Sequence, residues 1–169
     1  KRPSGPPKPP PPPPASARAE LVLDASKSQL QVQAATIFAP IKVRNLGISG
    51  ALTCKAKGTK PSGCGGDLMI DVSVADTGIE LRDVHLHRYL KTRQFPFAVL
   101  QLSGVGWDKL DGDAPIRVDL EVAGHPAPYD VRVRCERLKG SIKCQLGEVE
   151  VRLSRHNLKP YEYLGAVVE

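Results

Sequence analysis

Three runs of alternating apolar and polar residues constrain this chain more than any other feature. Leu68, Ile70, Val72 and Val74 alternate with Met69, Asp71 and Ser73. Ile116, Val118, Leu120 and Val122 alternate with Arg117, Asp119 and Glu121. Tyr129, Val131, Val133 and Cys135 alternate with Asp130, Arg132, Arg134 and Glu136. Successive side chains of a strand point to opposite faces, so a period of two predicts half-buried strands. Shorter apolar stretches add more: Leu21–Leu23, Leu30 with Val32, and Ile142 with Cys144 and Leu146. Gly47 and Gly50 interrupt Val43–Leu52, as suits a bent strand. Val149, Val151 and Leu153 shift parity at Gly147, which predicts a bulge there. Turn chemistry at Asp76-Thr77-Gly78, Val105–Asp108, Asp111–Asp113 and His125–Pro128 separates these runs. Many short strands, polar turns and one convincing short helix give an all-β sandwich or barrel. The alternation does not separate the two.

The least generic stretch runs from Ala75 to Leu102. The first alternating strand leads into it, and Asp76-Thr77-Gly78 ends that strand. Val84, Leu86 and Leu90 are spaced too irregularly for a strand, and a short helix capped by Asp83 is expected. Phe95-Pro96-Phe97 stops it, and a new strand runs from Phe97 to Leu102. The combination of Thr77-Gly78, Arg82-Asp83, His85-Leu86 and Phe95-Pro96 between two strands resembles the YceI-like family of polyisoprenoid-binding proteins. More loosely, the resemblance extends over about Leu21 to Val168.

The resemblance implies an extended, lipocalin-like antiparallel β-barrel of about eight strands with one or two short helices. Its apolar interior would hold a long isoprenoid chain, with a polar head such as a quinone or phosphate at the mouth. The strand faces expected to line that interior are Leu68/Ile70/Val72/Val74, Ile116/Val118/Leu120 and Val131/Val133. Leu86, Phe95, Phe97 and Val99 are expected to join them. Arg82, Asp83 and His85 would form a fixed polar motif at the barrel rim. The family often dimerises, so a homodimer is also an expectation.

Lys1 to Arg18 is low-complexity, with an unbroken proline run from Pro9 to Pro14 that favours polyproline II. It is expected to act as a linker or tail, leaving one domain over residues 19–169. The net charge is +6, but Lys1, Arg2, Lys8 and Arg18 supply four of those charges in a segment without acids. A body of 20 bases against 18 acids is no polyanion-binding surface, which argues against nucleic acid. The basic tail suits peripheral association with an anionic membrane. No apolar run approaches the length of a membrane span, and the chain reads as a mature or trimmed product.

The four cysteines fall into two local pairs. A two-residue turn at Lys139-Gly140 sets Leu138 opposite Ser141, Arg137 opposite Ile142, Glu136 opposite Lys143 and Cys135 opposite Cys144. The cysteines would then form a non-hydrogen-bonded pair with Cα atoms about 4.5 Å apart, within disulfide reach. Cys54 and Cys64 would staple a loop, Lys55–Gly63. Two disulfides imply an oxidising compartment, periplasmic or secreted in a bacterium. A tetrathiolate metal site is the rival reading, disfavoured because no C-x-x-C is present.

Catalytic chemistry is hard to assemble. His85 and His87, two apart on a helix, do not share a face, and His125 and His156 lie far along the chain. No nucleophile elbow, metalloprotease, P-loop or dinucleotide motif occurs. The expectation is a non-catalytic module without metal or cofactor, its partner a hydrophobic lipid. A filled-core interaction barrel on a proline-rich tether, or an electron-transfer module binding haem or a quinone, are the alternatives.

Overall fold

The alternating runs become strands of a single antiparallel sheet. The computed structural model describes residues 18–35, 39–57, 60–110, 112, 114–159, 161–163 and 166–168. The proline-rich segment lies outside these residues, except that Arg18 already opens the first strand. The strands are β1 (Arg18–Val22), β2 (Val32–Ala34), β3 (Ile41–Val43), β4 (Gly47–Lys57), β5 (Lys60–Asp71), β6 (Phe97–Val105), β7 (Pro115–Val122), β8 (His125–Leu138), β9 (Ser141–Leu146), β10 (Tyr161–Tyr163) and β11 (Ala166–Val168). Helix α1 (Glu80–Tyr89) joins β5 to β6, and the one-turn α2 (Trp107–Leu110) joins β6 to β7.

Seven strands in the order β1-β4-β5-β6-β7-β8-β9 form a curled half-barrel, with β2–β3 and β10–β11 as separate two-stranded ladders. This is the all-β, lipocalin-like architecture expected.

Residues directly opposite in a ladder share a face. Ile116 stands opposite Val131, Val118 opposite Tyr129 and Leu120 opposite Ala127, and all six are buried. The face they share, which carries the core, is the inner face. Full burial of each large apolar side chain contributes about 1.5–3 kcal/mol. Trp107 and Leu110 of α2 join this core, so the Val105–Asp108 turn is instead a strand end followed by a helical turn with a buried tryptophan. The Arg137 guanidinium lies 5.0 Å over the Trp107 ring.

The β7–β8 connection sits one step earlier than expected. Its turn is Ala123-Gly124, both with positive φ (51° and 80°), as a two-residue hairpin requires. His125–Pro128 is therefore strand, not turn. Pro126 and Pro128 fall at non-hydrogen-bonded positions, where a missing N–H costs the β7 ladder nothing. The Pro128 carbonyl accepts from the Arg155 guanidinium at 2.5 Å.

Much of Lys55–Gly63 is likewise strand rather than loop: Lys55 stands opposite Ser62 and Lys57 opposite Lys60, while residues 58 and 59 lie outside the described residues. Gly50 permits rather than breaks β4. Its φ is +140°, and a Cβ there would run into the Asp67 carbonyl. At Gly147 no bulged strand follows: β9 ends at Leu146, and the Gly147 N–H donates to the Arg132 carbonyl. Val149, Val151 and Leu153 still pack on the core from extended chain and a 3-10 turn at Leu153–His156.

Both local cysteine pairs are disulfides, with Cα–Cα distances of 4.0 Å for Cys54–Cys64 and 4.1 Å for Cys135–Cys144. The β8–β9 register is the one derived from the Lys139-Gly140 turn. With the thiols paired, the tetrathiolate site is ruled out.

Candidate functional site

The inner face divides into two halves. Over β7 and β8 the chain fills its own core. There His156, fully buried, donates from Nδ1 to the His125 carbonyl at 2.7 Å, which leaves Nε2 to accept from the Tyr129 hydroxyl at 2.9 Å. The Arg155 guanidinium stacks 4.4 Å over the Tyr129 ring, so the closing turn is clamped to β8.

Over β1, β4, β5 and β6 the inner face is equally apolar but less covered. Leu68, Leu100 and Leu120 form a row across three strands, flanked by Gly50 and Ala127. A second row runs Leu21, Leu52, Gly66, Leu102, and a third Ile48, Ile70, Ala98. Leu120, Ala98 and Leu102 are buried, whereas Leu21, Ile48, Leu52, Leu68, Ile70 and Leu100 are only half-buried. The aliphatic wall of this half is thus only partly covered by the described residues, with Leu21, Leu52, Ile70 and Leu100 packed against the edge of the core.

Helix α1 links β5 to β6, and the turn before it explains the Thr77-Gly78 and Arg82-Asp83 motifs. Asp71 ends β5 by accepting from the Ser73 N–H (3.0 Å) and hydroxyl (2.5 Å). Gly78 has φ +81° with the Arg44 side chain packed against it, a position only glycine fills without strain. Asp83 Oδ1 accepts from the Thr77 N–H (2.8 Å) and the Thr77 hydroxyl (2.5 Å). Arg82 donates to the Thr77 hydroxyl and carbonyl, both at 2.8 Å. Burial alone would raise the Asp83 pKa, but the hydrogen bonds from Thr77 hold it below the ordinary carboxylate value. Asp83 is not the N-cap: the helix begins at Glu80 after Ile79, and Asp83 reaches back from the first turn. His85 is half-buried on α1, and His87 Nε2 donates to the Ala75 carbonyl at 2.9 Å. The Thr77, Arg82 and Asp83 bonds all run to the turn that launches the helix.

The expected lining residues separate accordingly. Ile116, Val118, Leu120, Val131 and Val133 are on the inner face and buried. Leu68 and Ile70 are on it and half-buried. Val72 lies one residue beyond β5, its N–H held by the Pro96 carbonyl, and packs on the core. Leu86 is half-buried on α1, and Phe95 packs over Gly124, where a Cβ would meet its ring at 2.6 Å.

Three expectations are corrected. Val74 lies in the turn after β5 and is 48% exposed. Phe97 and Val99 point to the outer face, opposite Asp71 and Glu121 respectively. Their strand is apolar on both faces, which hides the parity. Gln101, the one polar side chain of Phe97–Leu102, shares their face and is the available signal. The inner residues of that strand are Ala98, Leu100 and Leu102. Among the described residues, no group of three or more His, Cys, Asp or Glu is placed to hold a metal, and no helix is long and apolar enough to cross a membrane.

A family model described as YceI-like domain matches residues 21–169. No curated protein matches the chain.

Proposed function

The chain belongs to the YceI-like family, a family of polyisoprenoid-binding β-barrels rather than of enzymes, and from that premise we propose that it binds one long-chain isoprenoid lipid without chemical turnover. The observation that carries the reading is the half-covered aliphatic wall of Leu21, Leu52, Leu68, Ile70 and Leu100, facing inward beside a half-sheet that fills its own core. A prenyl tail offers no hydrogen bonds, so recognition rests on apolar contact at roughly 25 cal/mol per Å² covered. The scarcity of aromatics (5%) fits a flexible chain better than a flat ring. Arg82 and Asp83 are spent on the Thr77 turn that launches α1, so the role proposed for them is structural rather than contact with lipid.

The two disulfides fit a periplasmic or extracellular protein, with residues 1–17 as its spacer. Native mass spectrometry of the purified protein, followed by organic extraction, tests the proposal. A bound mass released as an isoprenoid lipid supports it. A bare mass from a host rich in such lipids refutes it and favours the second reading, a filled-core interaction barrel, which the complete core over β7 and β8 recommends.

A further inference from the structure

Among the described residues, nothing packs on the outward face of helix α1. Glu80, Leu81, Val84 and Arg88 follow one another at helical spacing on it, Ile79 precedes it and Lys91 and Arg93 extend it, all exposed. Ile79, Leu81 and Val84 are 54%, 57% and 52% exposed, three large apolar side chains together on one short surface. The opposite side of the helix carries Arg82, Leu86, Tyr89 and Leu90, all half-buried, with Tyr89 and Leu90 packed against the core. Among the described residues, no ion pair or hydrogen bond engages the side chains of Arg88, Lys91 or Arg93. Against these three cations the face holds one acid, Glu80, at its far end. A cleft of about 400 Å³ opens among Val84, His87, Arg88, Lys91, Thr92 and Arg93.

We propose that this face docks the protein on an anionic lipid bilayer. Apolar residues at the start of the helix, followed by Arg88 near its end and Lys91 and Arg93 just beyond it, match the two layers of a bilayer surface. Ile79, Leu81 and Val84 enter the boundary between head groups and acyl chains. Arg88, Lys91 and Arg93 extend along it to the phosphates, and the cleft between them receives a head group. Charge complementarity selects this occupant over a second copy of the chain, whose own α1 face would bring three cations against three. The basic first residues act in the same direction without contributing apolar contact. The proposal stands whether or not the inner face carries lipid.

Co-sedimentation of the full chain with phosphatidylcholine vesicles, with and without phosphatidylglycerol, tests it. Parent protein is expected to bind only the anionic vesicles. Near an anionic surface each cation is worth about fivefold in affinity, so the R88Q/K91Q/R93Q variant should bind about a hundredfold more weakly. L81D/V84D should bind no better than the basic tail alone allows, and K1Q/R2Q/K8Q should retain α1-dependent binding. The substituted side chains of α1 and its extension are at the surface, and thermal unfolding of both α1 variants should match the parent. The proposal is overturned if both α1 variants sediment like the parent. It is equally overturned if the parent is a dimer that L81D/V84D converts to monomer, because a second copy would then occupy the face.

Discussion

Leu68 offers the sharpest test of the inner face. It stands in the row between Gly50 and Leu100 and is half-buried, so Leu68→Asp leaves the carboxylate wet and the fold intact when the face is empty. A hydrocarbon chain lying on the row changes that. The apolar burial given up is about half that of a fully buried leucine, or about 1 kcal/mol. Covering the carboxylate forces it to take a proton, which from an ordinary pKa of about 3.9 costs about 4 kcal/mol at pH 7. Together these weaken binding between a thousandfold and ten-thousandfold. At pH 5 the protonation cost falls to about 1.5 kcal/mol, so about half of the lost free energy, roughly a hundredfold in affinity, should be recovered. Met69→Asp, one residue along but facing outward opposite Val99, is the control and should leave occupancy unchanged. Occupancy is read by native mass spectrometry at both pH values. The inner-face assignment fails if L68D co-purifies with lipid at parental occupancy at pH 7, or if M69D loses it equally. Val118 would be a poor choice for the same experiment: at 2% exposure, an aspartate there would break the core rather than probe the ligand.

Each disulfide closes a short loop, with sequence separations of 10 and 9. Replacing either pair by alanines should therefore lower unfolding free energy by about 2.7 kcal/mol, measured in urea. Asp83 has a folded pKa below its unfolded one, so its contribution is complete above about pH 4 and is lost as pH falls further. Asp83→Asn should flatten that acid-side decline in denaturation midpoints; an unchanged slope would show that the Thr77 bonds do not couple to stability. His156→Ala removes a ring with no exposed surface and strands the Tyr129 hydroxyl and the His125 carbonyl, at about 1–3 kcal/mol for each group. A urea midpoint shift equivalent to about 3 kcal/mol or more is expected.

Residue order alone specifies the all-β class, the inward residues of β7 and β8, the Cys135–Cys144 register and the strand–helix–strand order around Arg82-Asp83. Each follows from local rules: side-chain alternation, two-residue hairpin geometry and turn chemistry act over a few residues. Long-range pairing resolves what those rules leave degenerate. Phe97–Leu102 is apolar on both faces except at Gln101, a single weak cue, and pairing with Leu68 and Leu120 fixes Leu100 rather than Val99 as inward. Lys55–Gly63 has loop composition, yet the ladder and the Cys54–Cys64 bond hold the flanking residues as strand. Pro126 and Pro128 read as a turn until the Ala123-Gly124 hairpin places them where no donor is needed. Burial is fixed last of all. Aliphatic residues facing inward read alike in sequence, and only the folded sheet separates the self-filled half over β7 and β8 from the half-covered wall beside it, because burial depends on what the rest of the chain brings to each residue.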